Sequence, residues 1–422
     1  MNGLLNSLLG IFVLLAIAFV FSNNKKAINY RTVFGALAIQ IGLGALILYV
    51  PAGRDALGAT ATGVQHVIDY GNEGINFLFG GLVSDKMFEV FGGGGFIFAF
   101  RVLPTIVFFS ALISVLYYVG VMQIVIKLLG GLLQKALGTS KAESMSAAAN
   151  IFVGQTEAPL VVKPFVNKMT ESELFAVMSG GTASIAGAVM AAYAGMGVPL
   201  TYLIAASFMA APGGLLFAKI ILPQTEKFQD ELEAVDLEKP ANVLEAAASG
   251  ASTGLGLAAN VGAMLIAFVA LIALINGLLG GIGGWIGYPE LSLNLIFGYV
   301  FKPLAWVIGV PWNEAAVAGE MIGIKLVVNE FVGYLEFLKY IGPETPQVLT
   351  DKTQAIITFA LCGFANFSSI AILIGGIGTM APSRRSDIAR LGMRAVLAGS
   401  LSNLMSATIA GLFIGLGGAI IA

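Results

Sequence analysis

The stretch Asn150-Ile151-Phe152-Val153-Gly154-Gln155-Thr156-Glu157-Ala158-Pro159-Leu160 gathers two amides, a hydroxyl and a carboxylate just ahead of a proline. It lies in a chain that is 57 % hydrophobic and only 11 % charged. A carboxylate at bilayer depth costs at least ~2.5–3.5 kcal/mol, so Glu157 reads as a functional group. Proline has no N–H and disturbs the helix around it, which frees backbone groups that lipid cannot satisfy. The stretch therefore predicts a broken or re-entrant segment lining a polar cavity. The alternative, a solvated loop with ordinary helix-capping residues, does not suit surroundings this apolar.

Three further groups carry comparable chemistry. Asn329 and Glu330 form a second amide–carboxylate pair, and Phe364, Asn366, Phe367, Ser368 and Ser369 crowd polar atoms into an otherwise apolar run. Ser184, with the pair Gly180-Gly181 before it in a further apolar run, marks the partner break to that one. Gln and Asn each offer a donor and an acceptor, which suits an amide-like edge such as that of a nucleobase. A carboxylate accepts two adjacent hydroxyls, as a ribose would present them, and Phe364 offers an apolar wall. From the residues alone the ligand is a polar, uncharged solute with several hydroxyls or amides. Asn150 and Ser184, with freed carbonyls, would make a neutral all-oxygen site for a hard monovalent cation. Proton uptake by buried Glu157 or Glu330 is the other coupling route, and Asn150 also suits a simple helix cap. No Ser/His pairing or His/Cys cluster accompanies these groups, which disfavours an enzyme.

Such residues need membrane helices to position them. The 422 residues have a mean hydropathy of +0.89, and their long apolar runs favour helices over a barrel. Fifty-four glycines suit close helix packing, and a net charge of −2 gives no hint of nucleic acid. Cys362 stands alone, so no internal disulfide forms. Met1–Phe21 lacks a basic leader and a cleavage pattern, which predicts a retained first span. Predicted spans are Gly3–Phe21, Val33–Val50, Phe96–Val119, Leu174–Gly195, Val198–Leu222, Gly254–Leu279, Ala355–Met380 and Leu391–Ile421. Thr60–Val83 reads as an interfacial amphipathic helix with His66, the only histidine, on its solvated side. A glycine turn, Gly92 to Gly95, follows it.

The two halves repeat one plan of span, amphipathic helix, polar stretch and two spans. The polar stretches are Lys141–Lys168 and Pro311–Ile341. Each is followed by Thr170-Glu171 or Thr350-Asp351, then by Ser184-Ile185-Ala186 or Ser369-Ile370-Ala371. That order predicts an internal duplication. The expected divisions are 1–93 (first two spans and interfacial helix), 94–222 (first repeat), 223–253 (charged connection, on the cytoplasmic side) and 254–422 (second repeat). Lys25, Lys26, Arg31, Lys135, Lys141, Lys163, Lys168, Arg384, Arg385, Arg390 and Arg394 cluster at one set of loops. Glu336, Glu344 and Asp351 flank the second polar stretch instead. By the positive-inside rule the two stretches enter from opposite sides, which requires eight full spans with both termini outside.

The motifs Asn150 to Leu160, Gly323-Ile324-Lys325-Leu326-Val327-Val328-Asn329-Glu330-Phe331-Val332 and Gly363-Phe364-Ala365-Asn366-Phe367-Ser368-Ser369-Ile370 resemble those of the concentrative nucleoside transporters. The resemblance covers nearly the whole chain after the first span; Gly333 departs from it, where the family usually has Ala. It implies an all-α polytopic protein of eight transmembrane helices and two re-entrant hairpins of opposite orientation. It further implies a homotrimer in the bacterial inner membrane, with an elevator-type inverted repeat and no cofactor beyond a coupling ion. By this resemblance Gln155, Thr156 and Glu157, with Val189, contact the base. Glu330, Asn366 and Ser369 hold the ribose, with Phe364 near both. The sodium ligands would be the Asn150 and Ser184 side chains and the carbonyls of Val153 and Ile185. The implied solutes are uridine and often other nucleosides.

Overall fold

The computed structural model describes residues 2–91, 95–228, 240–341 and 349–417, and among them every regular element is helical. The glycines at 92–94, Glu344 and the acidic core of the charged connection at 229–239 lie outside the described residues. The first helices are α1 (Asn2–Val20), α2 (Tyr30–Leu48) and α3 (Pro51–Phe79). Asn29 caps α2 through the N–H of Arg31 at 3.0 Å, and Pro51 opens α3 where its missing N–H costs nothing. Leu57, Ala61, Ile68, Gly71 and Ile75 make one buried stripe on α3, while His66 is exposed, as expected for an amphipathic helix.

Two short helices, α4 (Lys86–Phe91) and α5 (Phe98–Arg101), lead into α6 (Leu103–Tyr118) and α7 (Val121–Leu137). Hairpin 1 then rises as α8 (Lys141–Ala149), turns at 150–157 and returns as a 3-10 helix, Ala158–Phe165. Pro159 and Pro164 deny that return arm an α-helical ladder. The expected span Leu174–Gly195 is two pieces, α9 (Glu171–Ala183) and α10 (Gly187–Gly195), before α11 (Leu200–Ile221). Capping boxes at Ser140/Glu143 and Thr170/Glu173 start α8 and α9. Glu143 also meets Lys219 of α11 at 2.5 Å, a fully buried ion pair that anchors the base of hairpin 1.

The second half runs α12 (Val243–Trp285), α13 (Leu293–Val307), hairpin 2 as α14 (Ala315–Val327) and α15 (Glu330–Leu338), α16 (Asp351–Leu361), α17 (Ser368–Met380) and α18 (Arg385–Gly417). The expected span Ala355–Met380 is thus broken at 362–367. Helix α12 has 43 residues, well beyond the expected Gly254–Leu279. Its first turns are built from small residues that hydropathy overlooks, and Asn242 caps them at Leu244 and Glu245. At 1.5 Å per residue it is about 65 Å long, twice the hydrocarbon thickness.

The element order of the first half recurs in the second. Helix α7 packs on α8 as α13 does on α14, and α9 packs on α11 as α16 does on α18. Six helices are long and apolar enough to cross a membrane among the described residues. In α9–α10 and in α11, 94 % of the apolar window is buried, against 17 % in α12, so the former are core and the latter is peripheral. Helix α1 connects two different ends: Ser7 lies against Gly309 just before hairpin 2, and Asn23 bonds Arg394. Arg384, ten residues before Arg394, donates to the carbonyl of Met169 at the base of hairpin 1, at 2.6 Å.

Helices α6 and α12 cross on small residues, and a Cβ on Gly254 would stand 2.7 Å from that of Ser110. Gly254→Val is expected to destabilise the protein by about 1–3 kcal/mol through overpacking. Gly256→Ala, which faces open space, should not. Thermal unfolding of both variants in detergent checks this, and equal stability would mean that the crossing is not tight.

Candidate functional site

Both hairpin tips and both helix breaks meet in one cavity of about 110 Å³. Gln155, Thr156 and Glu157 reach it from the first tip and Val189 from α10. Asn329 and Glu330 come from the second tip, and Phe364, Asn366, Ser368 and Ser369 from the second break. All eight residues expected to contact solute line this one space.

Backbone bonds explain the convergence. The N–H of Gly187 donates to Phe152 at 2.9 Å, tying the first tip to the first break, and that of Phe367 donates to Leu326 at 3.2 Å, tying hairpin 2 to the second. The N–H of Phe364 donates to the carbonyl of Ser184 at 3.1 Å, joining the breaks. Side chains continue the network. Gln155 Nε2 donates to Ser369 Oγ at 3.1 Å, and Asn366 Oδ1 accepts from the N–H of Ser369 at 3.0 Å and from Ser368 Oγ at 2.7 Å.

The carboxylate of Glu330 is buried and held on both oxygens. Tyr193 donates its hydroxyl to Oε1 at 2.9 Å, and Asn366 Nδ2 donates to Oε2 at 3.0 Å. Glu157 differs: its Oε2 closes its own turn by accepting from the N–H of Gly154 at 2.6 Å. Only part of that carboxylate is thus left for a ligand. Asn329 likewise spends its side-chain oxygen capping α15 through the N–H of Val332 at 2.9 Å. Its carbonyl accepts from the N–H of Gly333 at 3.2 Å, which leaves the amide nitrogen for the cavity.

The four residues expected to hold an ion lie beside the first break. Asn150 ends α8 and is buried, and neither its oxygen nor its nitrogen has a hydrogen-bond partner. Leaving such groups unmet costs about 1–3 kcal/mol each. A Cβ on Gly180 would come within 3.2 Å of Asn150 Nδ2, so the side chain lies along α9. Ser184 Oγ makes one long bond, 3.4 Å, to the carbonyl of Gly181. Val153 and Ile185 are buried, and their carbonyls accept no loop or cap bond among the described residues. The donor set is neutral and all oxygen, which fits a hard monovalent cation.

Several neighbours of the cavity residues escaped the sequence reading. Tyr193 carried a readable signal, since it lies one helical turn past Val189 on the same face. Leu257, Val261, Met264 and Leu265 of α12 supply an apolar wall, and nothing in their pattern separates them from ordinary membrane residues. A larger cavity of about 820 Å³ shares Glu157 and Ala186 with the first one. It runs along hairpin 1 past Ser110, Ser114, Tyr117, Asn167 and Thr253.

Sequence profiles of known families match most of the chain. Residues 9–82 match the N-terminus and 202–411 the C-terminus of Na+ dependent nucleoside transporters, and 99–200 match a nucleoside-recognition profile. The chain is 72 % identical over 417 residues to an uncharacterized transporter of Haemophilus influenzae, covering 98 % of this chain and 99 % of that one. It is 60 % identical over 410 residues to the nucleoside permease NupC of Helicobacter pylori, with 97 % and 98 % covered. A solved structure of CNTnw in an inward-facing substrate-bound state superposes over 100 % of both chains at 66 % identity, with a TM-score of 0.96.

Tyr193→Phe leaves Glu330 one donor short in a buried setting and is expected to cost about 1–3 kcal/mol of stability. Thermal unfolding in detergent measures this. An unchanged midpoint would show that Tyr193 does not support the carboxylate.

Proposed function

The chain belongs to the concentrative nucleoside transporter family as a bacterial member, and from that premise we propose that it is a sodium-coupled symporter importing nucleosides such as uridine across the inner membrane. It is a multi-pass membrane transporter of nucleosides and not an enzyme. One observation carries the finer reading: paired carboxylate and amide groups converge in a single cavity, next to a buried asparagine whose polar atoms have no partner.

In this reading Glu330, Asn366 and Ser369 take the ribose hydroxyls. Tyr193 and Asn366 already aim the Glu330 carboxylate, so a sugar exchanges hydrogen bonds without a large rearrangement. Gln155, Thr156 and Glu157 read the base edge, where the oxygen of Gln155 is buried and free of partners. Phe364, Val189 and the α12 wall exclude water around it. Sodium is a co-substrate, held by Asn150 and Ser184 side chains and the carbonyls of Val153 and Ile185. Because Asn150 and Gln155 share one hairpin tip, sodium orders the groups that meet the base.

Eight spans and two hairpins entering from opposite sides are the proposed topology. Its support is the course of α1, whose beginning lies at the approach to hairpin 2 and whose end meets the basic segment bound to the base of hairpin 1. The segments 94–222 and 254–422 are the inverted repeats. Residues 1–93 precede them, and 223–253 join them. The wall from α12 comes from a helix that is mostly outside the core, so an elevator-like shift of the core past α12, in a homotrimer, would alternate access. The large cavity along hairpin 1 is the proposed way out.

Uridine uptake into proteoliposomes should fall at least about tenfold when an inward sodium gradient is replaced by choline at fixed pH, a change worth about 1.4 kcal/mol. Unchanged uptake would reject sodium coupling and leave proton coupling. Asn150→Ala should raise the sodium concentration for half-maximal uptake severalfold while the order of competing nucleosides stays the same. A wild-type sodium dependence in that variant would move the ion elsewhere.

A further inference from the structure

We propose that Asn403 and Lys325 form a positioning link between the two helix breaks, through which an ion at the first sets the geometry of the nucleoside groups on the second. The proposal rests on the sodium reading above.

Asn403 is a buried residue of α18 that touches neither proposed site. Its Nδ2 donates to the carbonyl of Ala183 at 2.6 Å and to that of Cys362 at 2.9 Å. Ala183 immediately precedes Ser184 and Ile185, two of the proposed ion ligands. Cys362 immediately precedes the turn that presents Phe364 and Asn366. A planar amide carries its two N–H groups in a fixed fork, so both carbonyls are reached at only one mutual spacing. A shift of one break therefore turns the amide and moves the other.

The fork is locked from behind. Lys325 Nζ donates to Asn403 Oδ1 at 2.6 Å and to the carbonyl of Ala360 at 2.7 Å, both neutral acceptors. Its amine sits at the C-terminal end of α16, where the last carbonyls of a helix lack partners along the helix. Lys325 belongs to hairpin 2, five residues before Glu330, so the link also includes the tip that offers the ribose acceptor. Gly363 completes the contact, because a Cβ there would collide with the Asn403 side chain. Four elements (α9, α14, α16 and α18) thus meet on one amide.

The test is the factor by which saturating sodium lowers the uridine KM in proteoliposomes. Linked sites commonly show about 5- to 150-fold coupling, and the wild type is expected within that range. Asn403→Asp keeps the size of the side chain and an acceptor for Lys325 but removes both N–H donors. Its factor should fall to within about twofold of one, while the sodium-free KM changes much less. Gly363→Ala, which presses on Asn403 and removes no hydrogen-bonding group, should lower the factor in the same direction and decides the matter if the first variant does not fold. A purely structural role would reduce the amount of active protein and leave the factor at its wild-type value, and that outcome would overturn the link. A wild-type factor of one would overturn the sodium reading and this link with it.

Discussion

A helix interrupted inside a bilayer leaves carbonyls and amides that lipid cannot satisfy, and this constraint organises the molecule. The breaks after Ala183 and Leu361 answer it with partners from elsewhere in the chain. Phe364 donates to Ser184, Gly187 to Phe152 and Phe367 to Leu326, so each break is completed by the other break or by a hairpin tip. Asn403 and Lys325 take three more carbonyls. The polar cavity is the remainder of this exchange, the place where side-chain groups outnumber the partners that the chain provides.

Which groups are satisfied and which are not then divides the cavity. Glu330 is held on both oxygens, so its carboxylate is oriented before any solute arrives. Asn150 and the oxygen of Gln155 are buried without partners. A buried polar atom left unmet costs about 1–3 kcal/mol, and an ion or solute that meets it recovers that cost. In the proposed function the oriented carboxylate favours selectivity, and the unmet amides favour occupancy.

Small residues set the close approaches throughout. Helices α6 and α12 approach through glycine and serine, and in the core Gly214 of α11 lies against Gly180 of α9 and Gly399 of α18 against Thr182. Such residues allow close backbone approach. An apolar wall from the peripheral α12 against a polar pocket from the buried core makes the pocket a joint between the two.

The sequence by itself determined the all-helical membrane class, the repeated element order and the polar residues that line the cavity. It could do so because the cost of polar groups in lipid leaves them only where they serve, so Glu157, Glu330 and Asn366 stand out from an apolar background. Tertiary structure decided the rest. The spans 174–195 and 355–380 carry breaks that Ser184 and the polar run from Phe364 already mark, but the limits of those breaks came from the fold, because a hydropathy window counts side chains and does not see where backbone bonds go. Glu157 and Asn329 give part of their bonding capacity to their own turns, a choice made by local geometry. The α12 residues joined the cavity, and Asn403 joined the two breaks, through packing over long sequence separations, which no spacing along the chain encodes. The stretch from Asn150 to Glu157 announced a polar function, and only its contact with the second break made it one side of a pocket.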